Sequence, residues 1–145
     1  MTLARSFFAA AITLAASCAF AQSPTGLWKT IDDKTGKERA LVRISETGGV
    51  FSGKIEKLLA ADAKPDAKCE QCTDARKDQP VVGMTIMRNV KKNEAVFDGG
   101  DILDANTGKV YRVKLTLSAD GKSMDVRGYV GNPLFGRTQK WQRVE

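Results

Sequence analysis

Val110–Leu117 reads VYRVKLTL, Ser118–Lys122 reads SADGK, and Ser123–Val130 reads SMDVRGYV. Tyr111, Val113, Leu115 and Leu117 alternate with Arg112, Lys114 and Thr116. Met124, Val126, Gly128 and Val130 alternate in the same way with Asp125, Arg127 and Tyr129. A period of two is the mark of a strand with one buried face, and an amphipathic helix would repeat at 3.6. Asp120-Gly121 between the two runs is a strong hairpin signal, because Gly accepts the positive φ that a tight turn needs. Residues 110–130 therefore predict a β-hairpin with one apolar face.

The same pattern extends outward in both directions. Toward the C-terminus, Gly131-Asn132-Pro133-Leu134-Phe135-Gly136 reads as a loop, and Arg137–Val144 as a last strand holding Trp141. Toward the N-terminus, Gly26–Ile31, Arg39–Ser45 and Val50–Leu59 read as strands, with Phe51, Gly53, Ile55, Lys57 and Leu59 on one side of the third. Asp32–Lys37 and Asp104–Lys109 share the pattern D-x-x-T-G-K and read as turns. A calcium loop is the weaker reading of both, since the spacing stops short of an EF-hand and lacks its closing Glu. Val81–Met87 is apolar on both faces, which predicts a strand that is buried or lines an interior. Ala95–Asp98 and Ile102-Leu103 flank Gly99-Gly100, a predicted bulge.

Residues 60–79 interrupt the pattern with Ala, Asp, Lys, Pro and two Cys, a long loop with at most one helical turn near Leu58–Ala63. About eight strands joined by tight turns predict an all-β, antiparallel up-and-down barrel, because closure removes both exposed sheet edges.

Residues 1–21 read as a cleavable secretory signal. Arg5 gives a positive start, Phe7–Ala16 is apolar, and Ala19-Phe20-Ala21 is a small-x-small cleavage site. The apolar run is shorter than the roughly 20 residues a membrane span needs. The expected domain is then residues 22–145, periplasmic or secreted. Leu14-Ala15-Ala16-Ser17-Cys18 offers a minority alternative, a lipoprotein anchored at Cys18.

The leader holds one of the 23 basic residues and none of the 17 acidic ones, leaving a domain of net charge near +5. A mildly basic surface permits an anionic partner in the cell envelope. Lys and Arg are spread along the chain with no aromatic-interleaved stripe, so nucleic-acid binding is not expected. The sequence contains no His. That removes the commonest general base near neutral pH, and with it Ser-His-Asp and Cys-His chemistry. No motif calls for a cofactor or a metal. An enzyme could still use Asp98, Asp101 and Asp104, although turn chemistry accounts for these carboxylates equally well.

Cys69 and Cys72 remain after leader removal. A structural disulfide pinning the long loop is the leading reading for an exported chain. A redox dithiol would be expected at the start of a helix, where the thiolate is stabilised. Half of a zinc site would need ligands from elsewhere. A disulfide closing so short a loop acts locally.

Gly26-Leu27-Trp28 on the first strand with Arg143 on the last resembles the lipocalin and fatty-acid-binding superfamily, with Trp28 and Arg143 stacking where the barrel closes. A fuller set of motifs runs from Gly26 to Lys37 and through Gly53-Lys54-Ile55, Cys69-x-x-Cys72 and Pro80–Gly83. It continues through Gly99–Asp104, Thr107–Tyr111 and Val126–Tyr129 to Gly136–Gln139 before Trp141 and Arg143. This order is similar to a bacterial exported domain-of-unknown-function family, the one numbered two thousand one hundred forty-seven. The resemblance implies a lipocalin-like barrel outside the inner membrane and no established activity, so no catalytic residue can be carried over.

The expected function is binding of one small apolar or lipid-like molecule inside the barrel. Expected lining residues are Phe51, Ile55, Met84, Met87, Phe97, Tyr111, Val113 and Met124, with Arg127 or Tyr111 orienting a polar head. The alternative is an envelope structural or partner-binding module whose core is filled. A monomer is expected, with a dimer left open.

Overall fold

Eight strands follow the alternating stretches of sequence. A computed structural model describes residues 22–145; residues 1–21, on which the expected signal and Cys18 fall, lie outside the described residues. The strands are β1 (Gly26–Ile31), β2 (Glu38–Thr47), β3 (Val50–Leu58), β4 (Thr85–Asn93), β5 (Val96–Leu103), β6 (Val110–Leu117), β7 (Ser123–Tyr129) and β8 (Gly136–Arg143). Each pairs antiparallel with its neighbour in sequence, and β1 pairs with β8, giving a closed up-and-down barrel. Closure leaves neither sheet edge open to another chain.

Bulges modify the simple alternation. A register shift opposite Leu41/Val42 pairs Lys57 with Leu41 and Ile55 with Val42. Glu56 is the extra residue, so Glu56 and Lys57 both face outward and Leu58 turns in. This corrects the expected inward placement of Lys57 and Leu59. A second bulge puts Arg88 and Asn89 outward together, with Asn89 at φ 60. The predicted irregularity at Gly99-Gly100 is present as a register shift between Phe97 and Gly100.

Three boundaries move. Val81–Met84 is a turn, and β4 starts at Thr85; Ile86 and Met87 are both buried, as their apolar character requires. Val130 lies beyond the end of β7 and is 66% exposed, not inward. The region Leu58–Ala63 holds one hydrogen-bonded turn, Ala63 N to Ala60 O, and no helix.

The up-and-down order sorts the connections. Those after β1, β3, β5 and β7 share one end, and those after β2, β4 and β6 share the other with both termini of the domain. The termini end is the floor. Trp28 is fully buried there and its indole N–H donates to Pro24 O at 2.7 Å. The glycine of the G-x-W motif is needed at this point. Gly26 has φ 131, and a methyl group on it would collide with Glu145 O. Above the floor, Phe51 meets Phe97 edge-on at 5.2 Å. Met87, Leu115 and Met124 are fully buried beside them. This half of the barrel is filled with side chains.

Candidate functional site

The other half is hollow. A cavity of about 930 Å³ opens at the end that carries the long β3–β4 loop. Its inner wall is apolar, made by Val42, Ile55, Leu58, Ile86 and Val126, with Trp141 also lining it. Charged residues, among them Asp33, Arg39, Asp62, Lys64, Asp104 and Arg137, ring the mouth, and the polar groups deeper in the lumen are few. Thr30 is buried, and its hydroxyl accepts from Ala40 N at 3.1 Å. The Gln139 carboxamide oxygen accepts the Trp141 indole N–H at 3.2 Å. Tyr111 and Gly128 line the upper wall side by side.

The rim is built from turns that the sequence specifies. Asp32 Oδ1 accepts Lys34 N, Thr35 N and the Thr35 hydroxyl, and Gly36 N closes on Asp32 O at 2.8 Å. These bonds, led by the Thr35 N–H, hold the Asp32 carboxyl below the usual carboxylate range. Asp104 repeats the device, accepting Asn106 N while Gly108 N closes on Asp104 O at 2.8 Å. The D-x-x-T-G-K segments are thus hairpin turns. Asp98 contacts Asn93, Asp101 contacts Arg88, and Asp104 is committed to its turn. Among the described residues no three acidic or sulfur side chains gather where they could hold a metal.

Cys69 and Cys72 form a disulfide, with Cα atoms 5.4 Å apart. Both are buried in the core cluster, so the bond fastens the long loop inward over the mouth. The loop is also stitched across its base by Cys69 N to Gln79 O, Asp78 N to Cys69 O and Val81 N to Ala67 O. Arg76 pairs with Asp74 and donates to Thr85 O at 3.0 Å, tying the loop to β4. That guanidinium brings the Asp74 carboxyl down to about 2. The loop rests on the β5–β6 turn at Gly108. There φ is 73, and a side-chain carbon would fall on Gln71 O.

The wall is weakest at one seam. β1 and β8 pair through Trp28↔Arg143 and Lys29↔Gln142, continued by Leu27 with Val144 and Glu145, all near the floor. Toward the rim the seam is bridged by a salt bridge. Arg137, at the start of β8, donates through Nε to Asp33 Oδ2 at 3.1 Å and through Nη2 to Oδ1. The guanidinium lowers the Asp33 carboxyl below its ordinary value, and Asp33 in turn raises Arg137. Both residues line the cavity.

Of the expected lining residues, Ile55 and Tyr111 face the cavity. Phe51, Met87, Phe97 and Met124 belong to the filled half, Val113 is fully buried opposite Gly128 without lining the cavity, and Met84 is buried under the loop, its carbonyl accepting Ile55 N. Arg127 is a correction. Val126 and Gly128 face in, so Arg127 between them faces out, where it donates to Pro133 O at 2.6 Å and Thr138 Oγ1 at 2.9 Å. Val42, Leu58, Ile86, Val126, Gln139 and Trp141 were not singled out as lining. A signal for most of them was available. In an up-and-down barrel the odd-numbered connections share an end, so inward residues near those connections must lie at the mouth.

Comparison with known proteins agrees with this architecture. Among solved structures the chain is similar to Helicobacter pylori protein HP1028, described as belonging to the lipocalin family. The TM-score is 0.72 at 18% identity, over 83% of this chain and 82% of that one. No curated protein matches the sequence. Residues 26–143 match the family described as uncharacterized protein conserved in bacteria, DUF2147. With the match spanning all eight strands, the chain belongs to the DUF2147 family.

Proposed function

We propose that this protein carries one small apolar or lipid-like molecule in the hollow half of its barrel. The observation that carries the reading is the cavity of about 930 Å³ with its aliphatic wall and aromatic base. Small-molecule sites commonly occupy roughly 300–1,000 Å³ and combine apolar walls with a few convergent polar groups. Burial of an acyl or isoprenoid-like chain would contribute about 0.8 kcal/mol per methylene. The Tyr111 hydroxyl and the free end of the Gln139 carboxamide would orient a polar head. The filled half beneath acts as a rigid base.

Export belongs to the same proposal: the working form is residues 22–145, periplasmic or secreted, and monomeric. Native mass spectrometry of protein purified from its host tests both parts. The expected spectrum shows a chain shortened by residues 1–21, carrying an added small-molecule mass that is lost on denaturation. A bare polypeptide mass overturns the carrier reading in favour of an envelope structural or partner-binding module. An acylated chain starting at Cys18 overturns the freely diffusing form.

A further inference from the structure

The basic charge of this domain is not evenly placed in the fold. Residues 109–140 hold seven Lys and Arg against two Asp, while residues 22–108 with 141–145 are balanced. The excess therefore sits in β6, β7 and β8, three strands side by side, and in the turns that lead into them. Arg112, Lys114, Arg127 and Lys140 alternate with inward residues and form the outer face. Lys114 stands directly opposite Arg127. Like charges so placed repel. Of this outward set Lys140 alone is neutralised, by Asp125 at 2.7 Å; Arg112, Lys114 and Arg127 join no ion pair among the described residues.

The same strands display apolar side chains at the rim. Leu134 is 80% and Phe135 76% exposed, and Val130 and Val110, near each other at the same end of these strands, are exposed too. The tip is held in shape. Leu134 N donates to Asn132 Oδ1 and Phe135 N to Asn132 O, both at 2.9 Å. The Arg127 guanidinium braces it from below through Pro133 O and Leu134 O. A fixed turn that presents Leu and Phe to water, next to an unneutralised basic face, has the chemistry of a surface that is covered in use.

We propose that this corner of the barrel, the outer face of β6–β8 and the Leu134–Phe135 tip, docks on an anionic lipid bilayer. The guanidinium and ammonium groups meet headgroup phosphates while Leu134 and Phe135 enter the hydrocarbon boundary. A nucleic acid would use the cations and leave the aliphatic tip in water. Phe135 also borders the cavity, so docking brings the mouth to the lipid surface. The proposal does not depend on the identity of any cargo.

The test is co-sedimentation of the purified protein with vesicles of phosphatidylcholine alone or mixed in equal parts with phosphatidylglycerol. The protein is expected to bind the anionic vesicles and to be released as NaCl is raised. Leu134→Ser with Phe135→Ser, and separately Arg112→Glu with Lys114→Glu, should each weaken binding at least about tenfold. Val144→Ser, an exposed apolar residue at the floor end, should bind as the unaltered protein does. A cavity-blocking Val126→Trp protein should also keep its vesicle binding, which separates docking from carriage. Equal binding to both vesicle types overturns the proposal, as does undiminished binding by either double variant. Competition by duplex DNA that is the same with or without Leu134 and Phe135 would mark a general polyanion site, and overturns it too.

Discussion

The Arg143 guanidinium lies 4.3 Å from the centre of the Trp28 ring, and the two residues face each other across the β1–β8 seam. Each arm of the guanidinium is also bonded: Nε to Gly121 O at 2.7 Å, Nη1 to Thr25 O at 2.6 Å and Nη2 to Ser23 O at 2.8 Å. One side chain thus joins the N-terminal segment, the β6–β7 turn and the last strand over the floor tryptophan. Its partial burial among carbonyls lowers its basicity without removing its charge.

Replacing Arg143 should therefore open the floor. Arg143→Ala is expected to lower unfolding free energy by about 3 kcal/mol, read from urea transitions, since hydrogen bonds to a charged group contribute about 1.5–3 kcal/mol. Arg143→Lys should recover only part of this, because an ammonium cannot stack flat and reach three carbonyls together. Full recovery by Lys would show that charge alone matters.

The floor was legible in the sequence because it rests on residue types with few substitutes: a glycine against a backbone carbonyl, an indole and a guanidinium. Strand count and closure were legible because period two is a local property of the chain. The depth of each inward residue was not. Met124 and Val126 alternate alike in sequence, yet one lies in the filled half and the other in the cavity wall. Depth depends on register, and bulges such as the one at Glu56 shift register by amounts that no local pattern announces. Arg127 was misplaced through its chemistry, although its neighbours Val126 and Gly128 already fixed its side.

The two halves of the barrel should respond oppositely to mutation. Val126→Trp adds bulk to the cavity, so binding of an apolar fluorescent probe should fall at least about tenfold with little loss of stability. Leu115→Ala removes bulk from the filled half and should cost about 2–5 kcal/mol with the probe still bound. Probe titration and urea unfolding on both variants read the contrast. Equal loss of stability in the two would mean that the cavity closes in solution.

Removing the disulfide should loosen the mouth more than the barrel. The chain-entropy relation gives about 2 kcal/mol for so short a loop. Cys69→Ala with Cys72→Ala is expected to cost no more than about that amount. Hydrogen exchange at the amides of Cys69, Asp78 and Val81, which stitch the loop, should quicken well before exchange in β6 and β7. A uniform rise across all strands would show that the bond holds up the whole fold.

The salt bridge between Asp33 and Arg137 should govern how fast the cavity exchanges its contents. It spans the seam above the last β1–β8 pair, where no ladder bonds hold the strands together. Exposed ion pairs contribute about 0.2–1 kcal/mol, so Asp33→Asn or Arg137→Ala should raise probe on- and off-rates by up to about fivefold and leave the equilibrium affinity nearly unchanged. The pH dependence has a definite sign. The folded carboxyl of Asp33 titrates below its ordinary value of 3.8, so the bridge is complete above that value. It is lost as pH falls through the lowered one. Stopped-flow exchange in the unaltered protein should therefore accelerate on acidification toward the rate of Asp33→Asn, whose own rate should stay flat over the same range. Parallel acceleration in both proteins would place the control of exchange elsewhere on the rim.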